Sequence, residues 1–411
     1  MPRPDTRVQI AFDLAAGGAG DFFTLNDSTK GELDNTEFLL AGDILQDVTE
    51  DMRSLTLRRG RSRELERFDA GGAVVNLRND QRKYDPSAGT AITPYGASMR
   101  PRKEVIITSN GQRIFTGIVD DWDLIYSLND DHIASVEVSD KFAFLAQKNL
   151  TAHTAVAQTT GERIEAVLDR PEIDWPSGQR DIATGEATLQ ADVVAEQNPV
   201  NVLSYLQSVE LAEPGALFMS NDGLLIFRER TDLQQATDVV FSDTGPDIPF
   251  SDIEISYGIE EMKNRVTIER LNGGTAVASN EDSITNYGAI DFRINNSLLA
   301  DDNQAQVLAD YLVNLFGEPQ VRIDAITVDL NALSIDQVND LLALELADVV
   351  QVKYTPSGIG NQISQSAAID RISHQVDAFN HTVRFDLSET RLGFTLDSNL
   401  FGVLDSNKLG F

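Results

Sequence analysis

The sequence predicts a mainly β protein with α+β parts, its strands arranged as barrels or sandwiches. Three observations carry that reading. Short segments with apolar residues at every second position recur along much of the chain, the pattern of strands buried on one face. Turn-forming clusters such as Asp85-Pro86-Ser87-Ala88-Gly89 separate them, and many short strands with regular turn signals favour a barrel or sandwich. Helical spacing appears only in a middle stretch and at two later points.

Residues 1–154 are expected to form a first barrel. Val8, Ile10 and Phe12 alternate with polar or small residues, as do Leu55 with Leu57 and Val75 with Leu77. Ile114–Val119 and Ala134–Val138 add two more strands. Residues 155–248 read as a small mixed α/β domain. Ile164, Val167 and Leu168 mark a helix over residues 161–169. A second helix is expected to start at Pro199, which suits a first turn, with Asn198 as its N-cap. Val202, Leu206 and Val209 then share one face, and Glu213-Pro214-Gly215 stops the helix. Leu217–Met219 and Leu224–Phe227 read as a hairpin around Ser220-Asn221-Asp222-Gly223.

Residues 249–390 are expected to form a second barrel with an inserted helix. Arg265–Arg270 and Ile290–Ile294 alternate. Ala305, Leu308, Ala309, Leu312, Leu315 and Phe316 then follow helical spacing, with Asp301 or Asp302 as cap and Gly317 and Pro319 as stop. Strands resume at residues 321–330, and a short helix spans 335–342. Val349–Tyr354, Ile369–Val376 and His381–Leu387 follow, the last two turning at Ala378-Phe379-Asn380. Residues 391–411 hold a repeat: Leu396-Asp397-Ser398-Asn399-Leu400-Phe401-Gly402-Val403 precedes Leu404-Asp405-Ser406-Asn407-Lys408-Leu409-Gly410-Phe411. This segment reads either as a frayed tail or as an arm that packs on a neighbour, with Phe394, Phe401, Leu409 and Phe411 as anchors.

The 411 residues carry a net charge of −32. That argues against tight binding to nucleic-acid backbones, which needs lysine and arginine to displace counterions. It fits either a solvated acidic surface or a wall that repels a polyanion. There is no cysteine, so disulfides, thiolate metal sites and cysteine nucleophiles are excluded. The first residues show no secretory signal, and no stretch approaches the ~18 apolar residues of a membrane span. Folding in the cytoplasm and no membrane partner are expected.

The search for chemistry finds little. The four histidines, His132, His153, His374 and His381, fit no metal-ligand spacing. His374 and His381 are expected to meet across the last hairpin. No P-loop, dinucleotide fingerprint or nucleophile elbow is present. Asp120-Asp121-Trp122-Asp123 and Asn129-Asp130-Asp131 do not fit a twelve-residue calcium loop. A carboxylate pair for glycoside hydrolysis stays open in principle, because any of 65 acids could contribute. The expectation is a non-enzymatic protein with no catalytic residue, cofactor or metal.

One basic cluster interrupts the acidic background: Arg53, Arg58, Arg59, Arg61, Arg63 and Arg67, interleaved with Glu64 and Glu66. A nucleic-acid patch is one reading. Pairing with carboxylates of the same or an adjacent subunit is the more economical one, since arginine forks suit carboxylates. Arg58, Arg59, Arg61, Arg63 and Arg67 are therefore candidate subunit-interface residues.

The run from Leu55 through Arg61-Ser62-Arg63-Glu64-Leu65 to Tyr84-Asp85-Pro86 resembles the N-terminal region of minor tail proteins of long-tailed bacteriophages. So do Met99-Arg100-Pro101, Phe115–Trp122, the segment Gly215–Arg228 and the C-terminal repeat. The order barrel, mixed domain, barrel is similar to the hub proteins of phage tails. Ala347-Asp348 before Val349 resembles a Gly-Asp turn of the second barrel, with alanine where glycine is usual. The resemblance implies two tail-tube-like β-barrels per chain and a homotrimeric ring at the tail tip. It also implies a channel that DNA crosses only in transit. Tail tube or distal tail proteins, the tape measure protein and tail fibre or tip proteins are the implied partners, and the virion tail tip the implied location. Two alternatives stay open: a hexameric distal tail adaptor, and a receptor-binding or cell-wall-degrading tip protein. The charge further suggests a net acidic channel wall, with the Arg58–Arg67 cluster turned to subunit contacts.

Overall fold

The computed structural model describes residues 5–12, 44–63, 66–88, 92, 93, 95–128, 131–230 and 236–389. The predicted alternation becomes long strands, and thirteen strands build one sheet. The first seven are β1 (Thr6–Phe12), β2 (Ile44–Asp47), β3 (Met52–Gly60), β4 (Asp69–Arg78), β5 (Glu104–Ser109), β6 (Gln112–Ile125) and β7 (Ile133–Ser139). A mixed region follows: helices α1 (Phe142–Gln147), α2 (Thr160–Leu168) and α3 (Val202–Glu210), then the hairpin β8 (Ala216–Met219) and β9 (Leu225–Arg228). The sheet resumes with β10 (Ala236–Ser242) and β11 (Asp252–Tyr257). An insertion then holds β12 (Arg265–Arg270), β13 (Thr275–Ser279), α4 (Glu281–Tyr287), β14 (Asp291–Ser297) and α5 (Asp302–Phe316). The last described elements are β15 (Val321–Asp329), α6 (Ile335–Leu342), β16 (Val349–Tyr354), β17 (Ile363–Val376) and β18 (His381–Glu389).

The sheet repeats a six-strand unit. In the first half the neighbours run β1-β5-β6-β7-β4-β3, with β2 added outside β1; in the second they run β10-β16-β17-β18-β15-β11. Both units are threaded in the same chain order. Each has a 14-residue strand, β6 or β17, that changes partner midway. In each, that strand bulges against its hairpin partner, β6 between Val119 and Asp121 and β17 between Ile369 and Arg371. The units differ at one outer pair: β1 is antiparallel to β5, whereas β10 is parallel to β16.

β17 joins the halves. Its residues 363–368 pair with β16 and its residues 371–376 pair with β3, both on one edge, while β18 follows the other. At this fork Gly60 has φ +115°, and a Cβ there would lie 2.1 Å from the Asp370 carbonyl oxygen. Only glycine tolerates that backbone conformation and that approach together.

Two apolar cores form. One spans both halves of the sheet, with Leu55, Leu57, Val75, Val136, Ile326, Ile372 and Phe385. The other unites α2, α3, β8 and β9 with the insertion, through Ile164, Leu206, Val266, Ile268, Ile294 and Leu312. This departs from the expected division at 248/249 in two ways. Phe241 and Ile248 belong to the sheet core, so the mixed region ends earlier. Strands β12 and β14, read as second-barrel strands, belong with the mixed region instead, together with β13. Alternation reveals that one face of a strand is buried, not against what.

Local signals were mostly honoured. Asp301 caps α5, and Ser334 and Gln337 form a capping box on α6. The start of α3 is different from the expectation: its N-cap is Asn201, whose side chain accepts from the Ser204 N–H, not Asn198. Val200 and Asn201 are first held extended by pairing with Leu150 and Asn149, which delays the helix. Ala347 adopts φ +66°, so the turn keeps the glycine-type conformation despite its side chain.

Candidate assembly surface

Eight consecutive strands, β6-β7-β4-β3-β17-β18-β15-β11, are antiparallel throughout. Period-2 alternation turns one face to the core and leaves the other polar. Across that polar face the register sets Asp121 beside Glu137, then Val74, Thr56, Gln375, Thr382 and Asp329. A second row holds Arg58, Ser373, Arg384, Thr327 and Asp252. Arg384 donates to Glu254 Oε2 at 2.9 Å and to Asp386 at 2.7 Å, and Arg371 donates to Asp386 at 3.3 Å. The Arg384 guanidinium holds the Glu254 carboxyl below its usual range. Asp121, Asp123 and Glu137 group at the β6 end, so carboxylates outnumber arginines on the strands of this face.

Both ends of this run are open among the described residues. β5 pairs with β6 only as far as Ile118, with Arg102 and Lys103 bonding the Val119 backbone. Residues 120–125 therefore have β7 on one side and no strand on the other. β11 likewise pairs only with β15. Ile255 and Tyr257 on β11 are 41% and 68% exposed, although Ile255 stands opposite the buried Ile323.

The candidate arginines separate by strand parity. Arg58 stands on the polar face. Arg59 shares the face of Leu55 and Leu57 and is 3% exposed. It donates to Glu345 Oε1 at 2.7 Å and to the Met219 carbonyl at 3.2 Å. Arg61 pairs with Asp370 at 2.8 Å and lies over the Phe68 ring. These two bind parts of one chain together: burial leaves Arg59 no outward surface, which corrects its assignment to a subunit interface, while Arg61 is only partly buried and is paired within its own chain. Arg63 is exposed and pairs with Glu260 and Glu261, and Arg67 reaches Gln207 at 3.4 Å. Phe394, Phe401, Leu409 and Phe411 lie outside the described residues, as do Asn129 and Asp130.

His374 and His381 meet as expected, Nδ1 to Nε2 at 3.1 Å. Burial pushes the His374 imidazole well below its usual pKa, and His381 and Arg59 add to that. His381 Nδ1 also lies 3.4 Å from the Thr6 hydroxyl and 3.5 Å from that of Ser109. This polar knot ties the two halves of the sheet together in their common core. Burial likewise raises Asp140, which accepts from the Gly71 and Phe142 amides, to about 7. Glu210 is also raised to about 7 by burial. It borders a cavity of about 240 Å³ between α3, α5 and the sheet. Among the described residues no group of three or more acidic or histidine side chains could hold a metal ion, and no helix is long and apolar enough to cross a membrane.

The comparisons with known proteins match this architecture. No curated protein matches the sequence. The chain is similar to a tail protein from Neisseria meningitidis, at 12% identity and a TM-score of 0.57, covering 86% of this chain and 95% of that one. It is also similar to the 43 kDa tail protein of prophage MuSo2 from Shewanella oneidensis, at 14% identity and a TM-score of 0.54, covering 85% and 96%. Both likenesses are of fold, to a tail protein in the first case and a prophage tail protein in the second. A family model described as YQBQ-like matches residues 93–388. That match takes in β5–β7, the mixed region and the second half of the sheet, well over half of the chain, so the chain belongs to the YQBQ-like family.

Proposed function

We propose that this chain is a structural, non-catalytic hub protein of a bacteriophage tail tip, working as a homotrimeric ring around a channel for DNA. One observation supports this most: the six-strand unit occurs twice, in the same order, within one continuous sheet. A chain of two equivalent units supplies six ring segments from three copies. The ring then matches a sixfold tube on one side and a threefold tip on the other. Likeness in fold to phage tail proteins supports the same reading. The partners in this reading are tail tube or distal tail proteins, the tape measure protein, and fibre or tip proteins.

The polar sheet face is the channel wall in this reading, because the other face is committed to the core. Its excess of carboxylates suits a conduit that must not hold a polyanion. Arg58 then faces the channel, contrary to the expectation that the whole cluster turns to subunit contacts. Mass measurement of the purified protein tests the assembly. A trimer is expected; a stable hexamer would move the chain to the distal adaptor class.

A further inference from the structure

We infer that neighbouring copies join through strand pairing of β11 in one with residues 120–125 of β6 in the next, in one defined antiparallel register. This rests on the ring reading and specifies its contact.

The template lies inside the chain. β3 ends the first unit and pairs with the far half of β17, the long strand of the second unit. β11 ends the second unit in the place β3 ends the first, and the far half of β6 corresponds to that of β17. The ladders fix the correspondence residue by residue. Trp122 stands opposite Val136 as Ile372 stands opposite Phe385, so Asp121 answers to Arg371 and Asp123 to Ser373. Leu55 pairs with Val75 as Ile253 pairs with Ile326, so Arg58 answers to Ser256 and Gly60 to Gly258. Within the chain Arg58 lies opposite Ser373 and Gly60 opposite Arg371. Between copies Ser256 therefore lies opposite Asp123, Ile255 opposite Leu124, Tyr257 opposite Trp122, and Gly258 opposite Asp121.

Four further observations agree with that register. The strand directions alternate along all eight strands, so β11 meets the next β6 antiparallel, as the rest of the sheet requires. Ile255 and Tyr257, exposed on the lone edge, gain apolar partners on the core side. A Cβ at Gly258 would meet nothing within 4 Å, whereas at Gly60 it would meet the neighbouring strand; open space marks the unfilled seat. Finally, a slip of two residues would set Asp123 opposite Glu254, and directly opposed like charges destabilise a pair. A slip of one would turn every side chain to the wrong face.

The absence of cysteine in the chain makes the test clean. A chain carrying Asp123→Cys and Ser256→Cys should form disulfide-linked oligomers on mild oxidation, since facing residues lie within disulfide reach. A chain carrying Asp123→Cys and Asp252→Cys, four residues out of register, should not. Native mass measurement of the unsubstituted protein accompanies both. Cross-linking confined to the first pair, on an oligomeric protein, supports the inference. Equal cross-linking of both pairs, or none in either while the protein is oligomeric, overturns the register and leaves the ring standing. A protein that stays monomeric at all concentrations overturns both.

Discussion

Replacing Gly60 with alanine should damage the joint between the two halves of the sheet more than any ordinary glycine substitution. The φ of +115° is one source of cost, about 1–2 kcal/mol for a residue with a Cβ. The second is steric. The new Cβ would sit 2.1 Å from the Asp370 oxygen and 2.7 Å from the Arg371 Cα. Ordinary contact begins beyond 3 Å, so β3 and β17 must part by about 1 Å. That separation strains the Arg61 N–H bond to the Asp370 carbonyl at 2.9 Å and the Arg61–Asp370 ion pair at 2.8 Å. With about 1 kcal/mol for each, the total loss is roughly 3–4 kcal/mol. Gly111→Ala is the control: its φ is +80°, but nothing lies within 4 Å of the added Cβ, so only the backbone cost of about 1–2 kcal/mol applies. Urea denaturation followed by the fluorescence of Trp122 and Trp175 reads both variants. Equal losses for the two glycines would refute the steric account of the fork.

Arg59→Met should destabilise the fold by about 3–5 kcal/mol, because it leaves Glu345 buried without its cation; the midpoint of denaturation checks this. Stability should fall by up to about 1.4 kcal/mol per pH unit below ~6.5, because the folded state keeps His374 neutral while the unfolded chain protonates it. His374→Leu should flatten that part of the profile of melting temperature against pH. Asp140 and Glu210 act with the opposite sign: their raised folded pKa values, about 7, contribute stability that is present below pH ~4 and lost as pH rises towards 7. Asp140→Asn should therefore compare more favourably with the unsubstituted protein at pH 8 than at pH 4, measured by thermal unfolding at both.

Much of the architecture could be read from residue spacing. Leu55 with Leu57 and Val75 with Leu77 announced strands whose inner faces they line, and the short helix expected over residues 335–342 forms over those residues. Strand parity held more than was taken from it: Arg59 occupies the same odd positions as Leu55 and Leu57, and that alone predicts its burial. The duplication was not legible, because it survives as strand order and bulge position, with Asp120 and Asp370 at equivalent bulges but no shared run of sequence around them. β13 and α4 were missed because they are short, and β13 turns only two alanines, Ala276 and Ala278, to the core. The placement of β12–β14 in the second core depends on packing partners distant in sequence, which no local pattern encodes.

The forked strand has a mechanical consequence. Inside one chain the halves are held by a six-residue ladder together with the Arg59–Glu345 and Arg61–Asp370 pairs. At the proposed contact between copies the ladder is of similar length, but the place of Arg59 is taken by Tyr257. The two kinds of seam thus differ in strength although they look alike in outline. A ring of such chains under outward pressure would fail first at its between-chain seams, in whole-chain pieces. Each pair of segments would stay locked as a rigid arc, and any widening of the bore would proceed by parting chains rather than by bending them.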